Sequence, residues 1–337
     1  MKKYYTLISI VLIAFFAYYS IFIHKRIYKK DAFYMDTIIE IQIYYHGPIN
    51  VSKIANEALD NFRLIDSLCG YASKNGDIFN LNLRKRGEVS VYTKDIIDSS
   101  FVIGMETNDY FDITVGPILE QWKHFNEPLK SLPDSNTIKA LLKFVNYKKI
   151  ITRGDSVFLP DSVSIDLGGI AKGYAIDLAY KTLKKHNLDA FLINAGGDIR
   201  VYSKGKKKWT IGIQNPRKNS VIGYFKIKNG AVVTSGDYER YVIINGIRYS
   251  HLINPKTGFP ERHFASVTVF SSNATRADAM ATAISVMGTK ATEFVRNKNI
   301  RAILISTKDD SLVIWESDTL KKNIVYEKGF IPKTIVR

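Results

Sequence analysis

The residues best suited to chemistry gather in a few short stretches. Asp166-Leu-Gly-Gly-Ile-Ala-Lys-Gly-Tyr-Ala-Ile-Asp177 reads as a strand that ends in glycines and enters a helix. Such a junction exposes main-chain N–H groups at the positive end of a helix dipole, and glycine lets a phosphate approach them. Lys172 adds a point charge. A tight strand-to-helix turn with a solvated lysine accounts for the same residues, and the spacing matches neither a dinucleotide fingerprint nor a phosphate loop. In Thr275-Arg-Ala-Asp-Ala-Met-Ala-Thr282, Asp278 and Thr282 lie a helical turn apart on one face. A carboxylate and a hydroxyl there are hard oxygen donors that suit Mg2+ together with a carbonyl and a substrate phosphate. The plainer alternative is an acid near a helix start and a threonine bonded back to a carbonyl.

Three further stretches carry polar groups at turns. Ser235-Gly-Asp-Tyr-Glu-Arg240 is followed by Tyr249-Ser-His-Leu-Ile-Asn-Pro-Lys-Thr-Gly258. His251 stands just before that Asn-Pro turn, where a histidine is either structural or, with reach to a substrate hydroxyl, a general base. Asn194-Ala-Gly-Gly-Asp198 is a two-glycine bend between strands. In Tyr110-Phe-Asp-Ile-Thr-Val-Gly-Pro117, Asp112 or Thr114 is placed to cap, and Pro117 to open, a short helix.

The elements that must position these residues follow from periodicity. Ile39, Ile41 and Ile43 alternate with Glu40 and Gln42, which predicts a strand over 36–45 with one solvated face. Ile54, Ala58, Phe62, Ile65 and Leu68 predict a helix over 51–69, ended by Gly70. Further helices are predicted over 93–107, near 135–146, from the glycine turn to about Asn187, and over Thr275–Met287. Residues 190–194 read as a buried strand, 209–270 as successive strands, and 300–315 as two more. Strands dominate the later half with helices interspersed, which predicts a mixed α+β architecture and not a regular doubly wound sheet.

Composition narrows the classes. The 337 residues are 46% apolar and 24% charged, which excludes a disordered tail, a collagen and a polytopic membrane protein. A single cysteine, Cys69, excludes an internal disulfide, a cysteine-based zinc site and an iron–sulfur cluster. The histidines show no close metal-ligand spacing, so a metal here is a hard ion held by oxygen. The net charge of +16 suits an anionic ligand such as a nucleotide. Its lysines and arginines are too scattered to predict nucleic-acid binding.

Residues 1–30 carry six of the basic residues and no acid. Tyr4 to Ile23 is uncharged, and at about 1.5 Å per residue a helix of that length crosses the ~30 Å hydrocarbon core of a bilayer. Small residues at a cleavage spacing are missing around Ala17-Tyr-Tyr-Ser20, so an uncleaved anchor is favoured over a signal peptide. The expected division is an N-terminal anchor with a basic flank over 1–30 and one domain over 31–337. Taken alone, the basic flank after the span leaves the body in the cytoplasm.

The order of the motifs is more specific than any one of them. Met35-Asp-Thr37, Phe111-Asp-Ile-Thr-Val-Gly-Pro117, the 166–177 stretch, Asn194-Ala-Gly-Gly-Asp198, Thr234-Ser-Gly-Asp-Tyr-Glu-Arg240, His251-Leu-Ile-Asn-Pro-Lys-Thr-Gly258 and Ala277-Asp-Ala-Met-Ala-Thr282 succeed one another along the chain. Over roughly residues 33–320 the sequence resembles the ApbE family, the FAD:protein FMN transferases. The resemblance implies an ApbE-like α+β fold of mixed sheets with flanking helices and an FAD cleft between two lobes, here preceded by the transmembrane helix read from the apolar stretch at 4–23. It implies Mg2+-dependent transfer of FMN from FAD to a threonine of an acceptor flavoprotein, with release of AMP. By the same resemblance Asp278, Ala281 and Thr282, with a carbonyl of Gly169 or Ala171, match the metal site. His251 matches the base, with Asp237 as its helper. Met35, Tyr71, Phe111, Asp112, Asp166, Lys172 and Leu252 fall where the family contacts FAD.

Two positions depart from the family. Ser250 stands where a second histidine is common, which leaves His251 alone, and Asn254 replaces an aspartate. The family's location implies a single-pass inner-membrane protein with its catalytic domain on the periplasmic side. Two other functions fit the same residues. One is hydrolysis of FAD to FMN and AMP, with water in place of threonine. The other is non-catalytic FAD binding, which has no need of a base.

Overall fold

The computed structural model describes residues 2–19, 23–70, 73–122, 131–309, 311–320 and 323–328. Helix α1 (Lys2–Tyr18) leads into a hairpin of β1 (Arg26–Tyr34) and β2 (Thr37–Tyr45). Helices α2 (Val51–Cys69) and α3 (Asp77–Arg84), strand β3 (Arg86–Glu88), and helices α4 (Val91–Glu106), α5 (Gly116–Trp122) and α6 (Ser135–Leu141) follow. Short strands β4 (Ile151–Arg153) and β5 (Ser156–Phe158) pair with β3, and the glycine turn then enters α7 (Ala171–Lys184). The later half holds β6 (Ala190–Ala195), β7 (Asp198–Ser203), β8 (Trp209–Gln214), β9 (Val221–Ile227), β10 (Gly230–Gly236), β11 (Tyr241–Ile244), β12 (Ile247–Ser250) and β13 (Ser266–Ser271). Helices α8 (Ala274–Ser285) and α9 (Ala291–Asn297) precede β14 (Arg301–Lys308), β15 (Ser311–Glu316) and β16 (Ile324–Tyr326).

The organising element is an eight-stranded sheet ordered β1-β2-β6-β7-β10-β13-β14-β15, with every pairing antiparallel. Successive side chains of a strand point to opposite faces, so each strand feeds two cores. One face presents Ile39, Ile41, Ile43, Ile193, Val233, Val267 and Leu304 to α2, α7 and α8. The other presents Val201, Val232, Phe270, Ile303 and Ile305 to the small sheet β16-β9-β8, which contributes Trp209, Ile211 and Phe225. The result is helices, large sheet and small sheet in three layers. Each fully buried Ile or Phe contributes roughly 1.5–3 kcal/mol. A third cluster of Ile118, Trp122, Ile138 and Ile253 ties α5 and α6 to the Asn-Pro turn, where Trp122 Nε1 donates to Gly258 O at 3.0 Å.

Most predicted elements are present: the helices of 51–69, 93–107 and 275–287 appear as α2, α4 and α8 within two residues at either end. The helix predicted near 135–146 stops at Leu141 and continues only as a 3-10 turn over Leu142–Phe144. Strand β1 and helix α3 were not foreseen. Strand β1 alternates half-buried and exposed side chains at the sheet edge, so no continuous apolar pattern marks it. It begins at Arg26, so Arg26, Lys29 and Lys30 of the basic flank belong to a sheet strand.

The described residues do not support the expected transmembrane helix. Helix α1 has 17 residues, or ~26 Å, short of a ~30 Å hydrocarbon core. Among the described residues no helix is long and apolar enough to cross a membrane. The predicted stretch ran on to Ile23, and its residues 20–22 lie outside the described residues.

Candidate active site

The site is built where α7 meets α8. Gly173, in the first turn of α7, lies so close to α8 that a Cβ added there would come within 2.4 Å of Ala274 O and 2.8 Å of Asp278 Cβ. Only glycine permits this approach of two helix backbones. Two carboxylates then bridge the helices. Asp278 Oδ2 accepts from Gly173 N at 2.8 Å. Asp177, on α7, caps α8: it accepts from Ala274 N at 2.8 Å, Thr275 N at 2.9 Å and Thr275 Oγ1 at 2.6 Å. Arg200 of β7 donates to Asp177 as well.

Burial pushes the Asp278 carboxyl up to about 7, with Asp198 adding to the shift and Lys172 opposing it. Lys172 Nζ forms an ion pair with Asp198 Oδ2 at 2.5 Å, and the Asp198 side chain is 1% exposed. Burial works against the lysine's charge, but Asp198, Asp278 and Glu239 outweigh it and hold the ammonium protonated. Burial likewise pushes Asp198 up while Lys172 pulls it back. The surrounding protein raises the Glu239 carboxyl to about 7 against Lys172, although its side chain still reaches water. One cation therefore serves three acids, an arrangement that a further positive charge would relieve.

Of the expected metal-site residues, Asp278, Ala281 and Thr282 share α8, and the glycine turn lies against them. A Cβ added at Gly169 would sit 3.3 Å from Thr282 Oγ1 and 3.2 Å from a ring carbon of Phe111. Gly169 is thus a turn residue that lies against Thr282. Ala171 opens α7, where its N–H bonds to Leu167 O. The Ala281 carbonyl accepts from Ser285 Oγ at 2.7 Å, so that oxygen is already used within α8. Among the described residues no three His, Cys, Asp or Glu side chains form a metal-binding group. The expected donor set has one carboxylate, with hydroxyl and carbonyl oxygens for the rest. A buried, poorly compensated carboxylate beside a hydroxyl and a glycine turn fits a hard divalent cation.

His251 lies at the end of β12. Its Nδ1 is 3.1 Å from Arg240 O. A carbonyl only accepts, so Nδ1 carries the proton and Nε2 is the basic nitrogen. Burial pushes the imidazole down to about 4; the carbonyl opposes this, and the charges of Arg240 and Lys172 add to it. The ring is neutral at pH 7 and near enough to Lys172 to feel its charge.

Asp237, expected as helper, is occupied elsewhere. Arg217 takes both its oxygens, at 2.6 and 2.7 Å, and no hydrogen bond joins Asp237 to His251 among the described residues. Met35 is at the β1–β2 turn with φ +53°, and its N–H donates to Asp66 Oδ2 at 3.1 Å. Phe111 is buried against Gly169. Asp112 is saturated within the protein, accepting from Thr114 N, Thr114 Oγ1 and Tyr147 N. Asp166 Oδ1 accepts from Gly168 N at 2.8 Å and so shapes the glycine turn. Leu252 is half-buried beside His251. Tyr71 lies outside the described residues.

Three contributors to the site were not singled out from sequence. Asp198 and Asp177 lay within noted motifs, but their partners Lys172 and Arg200 are 26 and 23 residues away. Glu239 carried no local signal beyond its place in Ser235–Arg240.

Fold and cluster together describe an antiparallel α+β protein with a hard-oxygen centre beside one half-buried lysine, a combination suited to a phosphate ester and a divalent cation. The sequence matches the ApbE family over residues 35–304, and the chain belongs to that family. The FAD:protein FMN transferase of Escherichia coli (strain K12) is 32% identical over 257 residues, covering 72% of each chain. The crystal structure of the ApbE protein from Thermotoga maritima is similar at a TM-score of 0.80 and 33% identity, covering 88% of this chain and 99% of that one. The flavin transferase ApbE from Vibrio cholerae has a TM-score of 0.78 at 23% identity over the same shares, a likeness in fold alone.

Proposed function

We propose that this chain is an FAD:protein FMN transferase that moves FMN from FAD to a threonine hydroxyl of an acceptor flavoprotein and releases AMP. The observation that carries the reading is the convergence at the α7–α8 junction of Asp278, Thr282, Gly169 and the Lys172–Asp198 pair, with a neutral His251 close by. In the reaction the threonine Oγ–P bond forms at the FMN phosphate and the P–O bond to AMP breaks. His251 Nε2 takes the threonine proton, and its Nδ1–H, held by Arg240 O, keeps the ring oriented. Lys172 places a positive charge beside the diphosphate. Met35, Phe111, Asp166 and Leu252 would frame the flavin nucleotide, and Asp112 would act by fixing the main chain next to Phe111. Asp278 and Thr282, with the Gly169 carbonyl, would hold Mg2+, which neutralises phosphate oxygens when bound.

The retained base and the similarity to named transferases support transfer over simple storage. Mass spectrometry of an acceptor flavoprotein incubated with FAD, Mg2+ and the chain is expected to find FMN on a threonine. AMP release at the same rate without acceptor, and with no adduct, would assign hydrolysis instead.

For location, the reading is the periplasmic face of the inner membrane, with the exposed apolar surface of α1 against lipid. A reporter fused after Arg337 and active only in the cytoplasm would reverse it.

A further inference from the structure

Strand β1 is an open edge of the eight-stranded sheet: β2 pairs with it on one side, and no strand among the described residues pairs with it on the other. It is nine residues long, holds no proline or glycine, and keeps an unbroken register against β2 from Arg26↔Tyr45 to Tyr34↔Thr37. An edge of that length and regularity is ready to pair with another strand. The hairpin turn fixes which groups face outward. Its two residues, Met35 and Asp36, are both left-handed, at φ +53° and +58°, so Tyr34 and Thr37 exchange both main-chain hydrogen bonds. Counting back in twos, Ala32, Lys30 and Tyr28 also bond to β2. The N–H and C=O groups of Ile27, Lys29, Asp31 and Phe33 therefore point to the open edge. None of those four N–H groups has an acceptor among the described residues.

The same four residues carry the exposed side chains of the strand. Ile27 is 55% exposed, Phe33 68%, and Ile38, opposite Phe33 on β2, 64%. Lys29 and Asp31 lie between the apolar ends. Asp31 stands directly opposite Glu40 of β2, a like charge, and Lys29 Nζ approaches Glu40 Oε1 only to 3.9 Å. The order apolar, cation, anion, apolar is its own complement under a two-fold axis. With a second β1 laid antiparallel and the axis at Lys30, Ile27 falls opposite Phe33 and Lys29 opposite Asp31, each of them twice. The other face of the strand obeys the same rule: Tyr28 falls opposite the small Ala32, and Arg26 opposite Tyr34. Lys30 alone meets its own kind, and its Nζ is drawn to Asn56 Oδ1 on α2. A register two residues away in either direction would set Lys29 or Asp31 against itself.

We propose that β1 is a homodimer edge, across which a second copy of this chain adds its own β1 antiparallel and joins the two large sheets edge to edge. The occupant is a second copy because the charge order, the apolar ends and the large–small pair all match in one symmetric register. The two hairpin turns then lie at opposite ends of the paired strands, about 30 Å apart at ~3.4 Å per residue. No residue proposed for FAD, metal or base lies on β1, and the pairing stands without the transfer reading.

Sedimentation equilibrium of the full chain in a neutral detergent, which covers the apolar α1, should give twice the chain mass. Asp31→Lys sets lysine against lysine at both symmetric contacts and should raise the dimer dissociation constant about tenfold or more. Within one chain that substitution removes the like charge facing Glu40, so the fold is kept, and thermal unfolding checks this. Adding Lys29→Asp to Asp31→Lys restores opposite charges across the axis and should recover the dimer. Hydrogen exchange reads the register: the amides of Ile27, Lys29, Asp31 and Phe33 should be protected in the parent and the double variant and exchange freely in Asp31→Lys. A monomeric parent overturns the proposal. So does a dimer that Asp31→Lys leaves unchanged, which would place the contact at α1 or another surface, and so does a double variant no tighter than Asp31→Lys alone.

Discussion

The α7–α8 junction and the β11–β12 hairpin both bring charged groups toward the proposed reaction, and they hold them by different means. At the junction the carboxylates of Asp278 and Asp177 are buried and accept from main-chain N–H groups of the facing helix. Their positions are set by backbone and by a glycine that lets the helices touch. At the hairpin the charges sit on side chains that meet one another, Arg217 and Arg248 around Asp237, with part of the hydrogen-bonding capacity unfilled. A centre that must stabilise developing charge needs donors already in place.

The comparison breaks most decisively at Asp278. Asp278→Ala should reduce Mg2+-dependent FMN transfer to background. Loss of a partner for the buried Gly173 N–H should lower stability by only about 1–3 kcal/mol. Transfer that survives in the variant, measured by the mass of the acceptor, would move the reaction away from the junction. His251→Ala is expected to slow transfer by ~10²–10⁴ with FAD affinity preserved. A loss under tenfold would make the histidine structural.

Asp177→Ala tests the rigidity of the junction itself. Arg200, with a side chain only 11% exposed, loses its carboxylate, and α8 loses its N-terminal acceptors. Urea unfolding should show a cost of ~3–5 kcal/mol. A cost near zero would mean that the helices are held by packing and not by the carboxylate bridge.

The smallest effect is in pH dependence. His251 is held near 4, against an ordinary 6.5, so Nε2 stays unprotonated as pH falls through 6.5. The transfer rate should show no His251 break near 6.5 and should decline only toward 4. Between those values the unfolded chain binds the proton and the folded chain does not, so His251 lowers stability as pH falls. A rate break near 6.5 would place the imidazole in a wetter setting in the working enzyme.

Much of this was legible before any coordinates. The alternation of Ile39, Ile41 and Ile43 marked β2, and the spacing of Asp278 and Thr282 put both on one face of α8, as found. The helix after the glycine turn and the two strands of 300–315 were also legible, since each rests on a local pattern. Strand β1 was not, because an edge strand with half-buried faces has no strong periodicity.

The sequence by itself determined the elements and the order of the motifs, because periodicity, glycine turns and capping residues act over a few neighbours. It also determined which oxygen-bearing and basic groups were available. Tertiary structure decided their partners. Lys172 is committed to Asp198, Asp237 is taken by Arg217 and not by His251, and Gly169 meets Thr282. These outcomes depend on segments 20 to over 100 residues apart being packed to within a hydrogen bond or a methyl group. Local pattern cannot encode that distance; only the closing of the sheet and the crossing of α7 on α8 fix it.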